Sequence, residues 1–106
     1  MNNEKYIKHM KAVFIVYNQA HNEKVEYILD SLGISGYTEW NDVKGRGSSG
    51  GVPHLGTHTW PEINSATLTI IDDDKVDELL RAVKKMDELN TDVGVRAFVW
   101  EITAAI

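Results

Sequence analysis

The chain has 106 residues, 42% of them hydrophobic, with 11 basic against 16 acidic side chains and a formal net charge of −5, the profile of one globular domain and too short for two. It contains no cysteine, which excludes disulfides, thiolate metal centres, iron–sulfur clusters and cysteine nucleophiles. The acidic balance argues against a nucleic-acid partner, and the longest apolar run, residues 12–17, is far below the roughly 20 residues of a membrane helix, so the expectation is a cytoplasmic protein with no membrane insertion.

Residues 1–9 are polar and aperiodic and read as a flexible N-terminal tail ahead of a single domain over 10–106. Residues 11–17 are β-branched and aromatic without interruption, which predicts a first strand. Val25, Ile28, Leu29 and Leu32 then fall at i, i+3, i+4 and i+7, one stripe of a helix over about 21–32, with Gly33 at the position of a C-terminal cap. Residues 37–43, with Tyr37, Thr38, Trp40 and Val43, have strand character.

The stretch 44–61 holds five of the eight glycines and both prolines, too many breakers for a regular element. Loops of this length inside a small domain usually carry function, so the functional segment is expected here. Residues 64–71 alternate Ala66, Leu68 and Ile70 against Thr67 and Thr69, a third strand. Asp72, Asp73 and Asp74 supply capping oxygens for a second helix reaching Leu89, with Val76, Leu79, Leu80 and Val83 on one stripe. A turn over 90–94 leads to a fourth strand over 95–102.

The order is β-α-β-β-α-β, an α+β sandwich in which two helices cover one face of a four-stranded antiparallel sheet. A lone monomer would turn polar residues to the uncovered face. Strands one and four are instead apolar on both faces: Val13, Ile15 and Tyr17 oppose Ala12, Phe14 and Val16, and Ala97 and Val99 oppose Phe98 and Trp100. Such a surface is expected to pack against other copies of the chain.

The chain here resembles the PII-type signalling proteins, whose ferredoxin-like subunits form homotrimers and project a long loop, the T-loop, between strands two and three. The likeness lies in Val43-Lys44-Gly45-Arg46-Gly47, similar to the V-R-G-x-G that opens that loop, in the strand, acidic turn and helix over 68–80, and in Arg96-Ala97-Phe98-Val99, similar to a K-I-F-V strand. It implies ATP or ADP in the clefts between subunits. Gly45, Gly47, Gly94 and Arg96 are the binding candidates it brings, with glycine N–H groups and guanidinium as phosphate donors; by charge alone, Lys44, Arg46 and Arg96 form an anion pocket where subunits bring them together, or else are isolated surface charges. It also implies signalling to a protein partner through an ordering of residues 44–61. The pattern departs from the family at Ser48-Ser49, in the reduced Val93-Gly94-Val95-Arg96, in the absence of a counterpart to the modified tyrosine, and in the missing basic C-terminal segment.

A second reading resembles the CutA-type trimers, which share this architecture: His54, His58 and Glu62 form a nitrogen-and-oxygen ligand set for zinc, copper or nickel, or the two histidines simply fix the loop through backbone hydrogen bonds. Trp40, Trp60 and Trp100 read as packing residues. No catalytic centre is expected, since Ser48-Ser49 lacks the strained turn of a nucleophile, and His58 with Glu62 is the one acid–base pair available.

Overall fold

A computed structural model describes residues 9–44, 63–89 and 94–106. The apolar first run forms β1 (Met10–Asn18), whose Asn18 side chain accepts from the Ala20 N–H at 2.9 Å and so starts a single 3-10 turn over Gln19–His21. Helix α1 follows over Asn22–Ser31, one residue short of the predicted span at each end, because His21 belongs to that turn and Leu32 is the C-cap. Gly33 ends the helix with φ +74°. Its N–H donates to the Asp30 carbonyl at 3.0 Å, and the Ile34 N–H reaches back to Leu29 at 2.9 Å, the paired bonds of a Schellman cap. Ile34 and Leu29 are both buried, which supplies the apolar contact that goes with it.

Strand β2 (Thr38–Lys44) pairs with β3 (Ile63–Asp72), so Lys44 belongs to a strand and not to the loop in which its neighbours placed it. Trp40 lies opposite Ala66 but Val43 opposite Asn64; the extra residue on β2 is a bulge. Asp42 sits in it with φ +58°. The Asp42 N–H donates to Gln19 Oε1 at 2.6 Å, and Asn41 Oδ1 accepts from Asn22 Nδ2 at 3.0 Å and Ser65 Oγ at 2.9 Å. The start of α1 therefore grips the end of β2.

The acidic triplet does not cap as its composition predicts. Asp72 precedes a 3-10 turn over Asp73–Lys75 without a side-chain cap bond, because β3 runs through Asp72 and the chain enters the helix by the tighter turn. The Asp73 N–H instead donates to the His9 carbonyl at 2.7 Å, and Asp73 lies 3.7 Å from Lys11. Helix α2 (Val76–Leu89) buries Val76, Leu79, Val83 and Met86, one turn more of the stripe than the sequence signal marks. Strand β4 (Arg96–Glu101) completes an antiparallel sheet in the order β2-β3-β1-β4, as the split arrangement requires.

The core lies between helices and sheet: Val13, Ile15 and Tyr17 of β1 pack with Val25 and Leu29 of α1 and the buried stripe of α2. On β3 the polarity is inverted. Ser65, Thr67 and Thr69 are fully buried toward the helices, where Tyr17 Oη meets Thr67 Oγ1 at 2.9 Å and Thr69 Oγ1 donates to the Gly36 carbonyl at 2.6 Å. Ala66, Leu68 and Ile70 face the other way, in register with Val16, Phe14 and Ala12. Their open face continues into Phe98 and Trp100, 53% and 49% exposed, with the Trp100 ring 6.1 Å from Phe14. Trp40 and Trp100 are therefore not core residues of the protomer: both are about half exposed on the face that the helices leave bare.

Candidate functional site

Of the predicted binding residues, Lys44, Gly94 and Arg96 are described. Gly45, Arg46 and Gly47 lie outside the described residues, as do His54, His58, Glu62, Ser48, Ser49 and Trp60. Among the described residues, no group of three histidine, aspartate or glutamate side chains is arranged to hold a metal ion.

Lys44 ends β2 and Arg96 begins β4, and these are the two edge strands of the sheet. Three inter-strand steps of about 4.8 Å separate them, and Lys44 lies level with Ile63 while Arg96 lies level with Ala66, three residues along β3, so the two basic positions stand more than about 14 Å apart across one protomer. One phosphate cannot bridge that distance. The bulge in β2 also decides how Lys44 is presented: it turns Val43 to the open face beside Trp40 and sends Lys44, opposite Ile63, to the helix side.

Arg96 is reached through Gly94, whose φ of +66° suits a residue without a Cβ. The register places Arg96 opposite Val16, on the open face, but its guanidinium folds back around the sheet edge. Arg96 Nη1 donates to the Val95 carbonyl at 3.0 Å and lies 3.9 Å from Asp87 Oδ2. Asp87 is in the last turn of α2, and its other oxygen, Oδ1, accepts from the Val95 N–H at 2.8 Å.

Sequence reasoning missed Asp87. Its signal is available, since a carboxylate in the last turn of a helix opposes the helix dipole and calls for a compensating donor. It also missed a carboxyl pair where α1 crosses β2. Glu26 hydrogen-bonds to Glu39, and its carboxyl is held above the usual range, first by that bond and then by burial and the surrounding Glu39, Glu23 and Asp30 charges. Glu39 Oε1 is buried without a partner. Nearby, burial and then Lys24 hold His21 below its ordinary value. On the outer surface a groove of about 570 Å³ runs between the helices, lined by Tyr27, Ile28, Met86 and Leu89 with Lys24 and Lys85 beside them; it contains none of the predicted site residues.

The family profile of the nitrogen regulatory protein P-II matches residues 10–106. The chain belongs to the P-II family. It is thus a PII-like signalling protein, of a regulatory family. Its fold is shared with CPII, a nitrogen regulatory PII-like protein from Thiomonas intermedia K12 bound to ADP, AMP and bicarbonate, at 21% identity and a TM-score of 0.69 over 91% of this chain and 94% of that one. A PII-like signaling protein from Thermus thermophilus matches at 22% identity, TM-score 0.62, over 88% and 86% of the two chains. Arabidopsis thaliana PII bound to citrate matches at 16%, TM-score 0.65, over 90% and 78%. No curated protein matches the sequence. Among the described residues no helix is long and apolar enough to cross a membrane.

Proposed function

We propose that the chain is a cytoplasmic, non-enzymatic P-II sensor that works as a homotrimer, binds an anionic effector of the adenine-nucleotide class in clefts between subunits, and signals to a protein partner through residues 44–61. The observation that carries this reading is the inversion of β3. A strand that buries Ser65, Thr67 and Thr69 and turns Leu68 and Ile70 outward beside Phe98 and Trp100 is built for a covered outer face, because solvent exposure of such a patch is rarely tolerated. Association of three copies covers it.

Association also resolves the separation of the basic residues. With Lys44 and Arg96 on opposite edges, a single anion meets both only where the β2 edge of one protomer approaches the β4 edge of the next. Gly45, Arg46, Gly47 and Gly94 add backbone donors and charge to that cleft. ADP, AMP, bicarbonate and citrate, the molecules seen with the Thiomonas and Arabidopsis proteins, are all anions, which agrees with a guanidinium-centred site.

Calorimetric titration of the full chain with ADP, AMP and bicarbonate tests the reading. At least one binds the parent, and Arg96→Gln weakens it by about tenfold, in keeping with loss of a charge-assisted bond. Heat signals absent for all three would reject it.

A further inference from the structure

We infer that Asp87 is a positioning residue that holds Arg96 in reserve and sets how readily the site accepts an anion. The inference rests on the assignment of Arg96 to the effector site. The Asp87 carboxylate is bound on its two sides by unequal partners. Oδ1 takes the Val95 N–H at 2.8 Å, a short bond to the backbone of a residue only 4% exposed; breaking it would strand a buried donor, so this side stays. Oδ2 faces Arg96 Nη1 at 3.9 Å, with the side chains 35% and 62% exposed, a weak and screened pair. This side lets go.

The Val95 bond thus fixes a negative charge against the guanidinium, and the carboxylate presents Arg96 with the same kind of partner that a phosphate would. Arg96 also donates to the Val95 carbonyl, which keeps it folded over the strand edge and short of the open side. Ligand and Asp87 compete for one guanidinium. Each ligand anion must therefore displace the carboxylate, and a ligand of higher charge does so more readily, which makes Asp87 a determinant of anion selectivity as well as of affinity.

The test is a double-mutant cycle on the full chain with ADP as probe, using the parent, Asp87→Asn, Arg96→Gln and the double variant. Asparagine keeps an oxygen for the Val95 N–H and removes only the charge. Asp87→Asn is expected to bind ADP about two- to fivefold more tightly at low salt, the gain shrinking in about 0.5 M salt and vanishing in the Arg96→Gln background. Unchanged or weaker binding overturns the inference, and so does an equal gain without Arg96, which would reflect a general field. Should Asp87→Asn not fold, Asp87→Ser takes its place, with the same outcomes. If the parent binds no ADP, the nucleotide reading fails on its own, and the same proteins are titrated with inorganic pyrophosphate while the Arg96 Nε resonance is followed by NMR. A saturating shift with a lower midpoint in Asp87→Asn supports the inference. No shift, or an unaltered midpoint, overturns it.

Discussion

Gly33 shows how much one residue can decide. Its φ of +74° is costly for any residue with a Cβ, by about 1–2 kcal/mol, and a methyl group there would lie 3.3 Å from Lys75 Nζ. That ammonium donates to the Leu32 carbonyl at 2.7 Å, so it cannot withdraw without freeing the carbonyl of the residue that caps α1. Gly33→Ala is therefore expected to lower stability by about 2 kcal/mol, the upper part of that range, read as a lower urea midpoint at unchanged slope. Glu26 makes a prediction of the opposite kind. Its folded value is raised, so the fold holds this proton more tightly than the unfolded chain does. The resulting stabilisation is complete below the ordinary carboxylate range and is lost as pH rises through the raised value. Glu39→Gln removes the repulsion and supplies a donor, so its urea midpoint should exceed the parent's at pH 7, with the advantage shrinking by pH 4.

At the scale of elements, the buried hydroxyl row of β3 depends on partners from β1, β2 and the segment that leads into β2. Tyr17→Phe would leave the Thr67 hydroxyl unpaired in the core and cost about 1–3 kcal/mol, whereas Tyr17→Phe with Thr67→Val replaces both partners by apolar groups and should recover most of it; equilibrium urea unfolding of the three proteins measures the difference. The elements with the strongest periodic signal were legible in the residues themselves: β1 from its unbroken apolar run, α2 from Val76, Leu79 and Val83, and the end of α1 from Gly33. The β2 bulge was not, because Gln19 and Asn22 are distant in sequence from the Asn41 and Asp42 that they hold. The acidic triplet misled, since carboxylates that suit a helix start equally suit the strand end and 3-10 turn that occupy it. At the site, the basic positions were readable by type, but the Asp87 contact depends on how α2 meets the start of β4, a tertiary relation that local patterning does not encode.

The whole molecule is organised around a sheet with one face covered by its own helices and, in the proposed assembly, the other by its neighbours. Both faces of β1 and β4 are apolar in the sequence alone, and the structure adds that β3 sends its hydroxyl groups inward, which makes the bare face the more apolar side of that strand. Sedimentation of the parent should give a particle of three 106-residue chains. Trp100→Glu, which puts a charge among the Phe14 and Phe98 rings, should shift it to smaller species while leaving the helix signal in circular dichroism in place. A parent that sediments as one chain at high micromolar concentration would contradict the trimer.

The placement of Lys44 and Arg96 on opposite margins of the sheet has a thermodynamic corollary. A molecule that touches both is a molecular staple, and its occupancy and the cohesion of the particle become two readings of one linked equilibrium. Each effector bound should slow the exchange of protomers between particles. Dilution far enough to release single chains should empty the clefts as well, however tightly the intact particle holds its cargo.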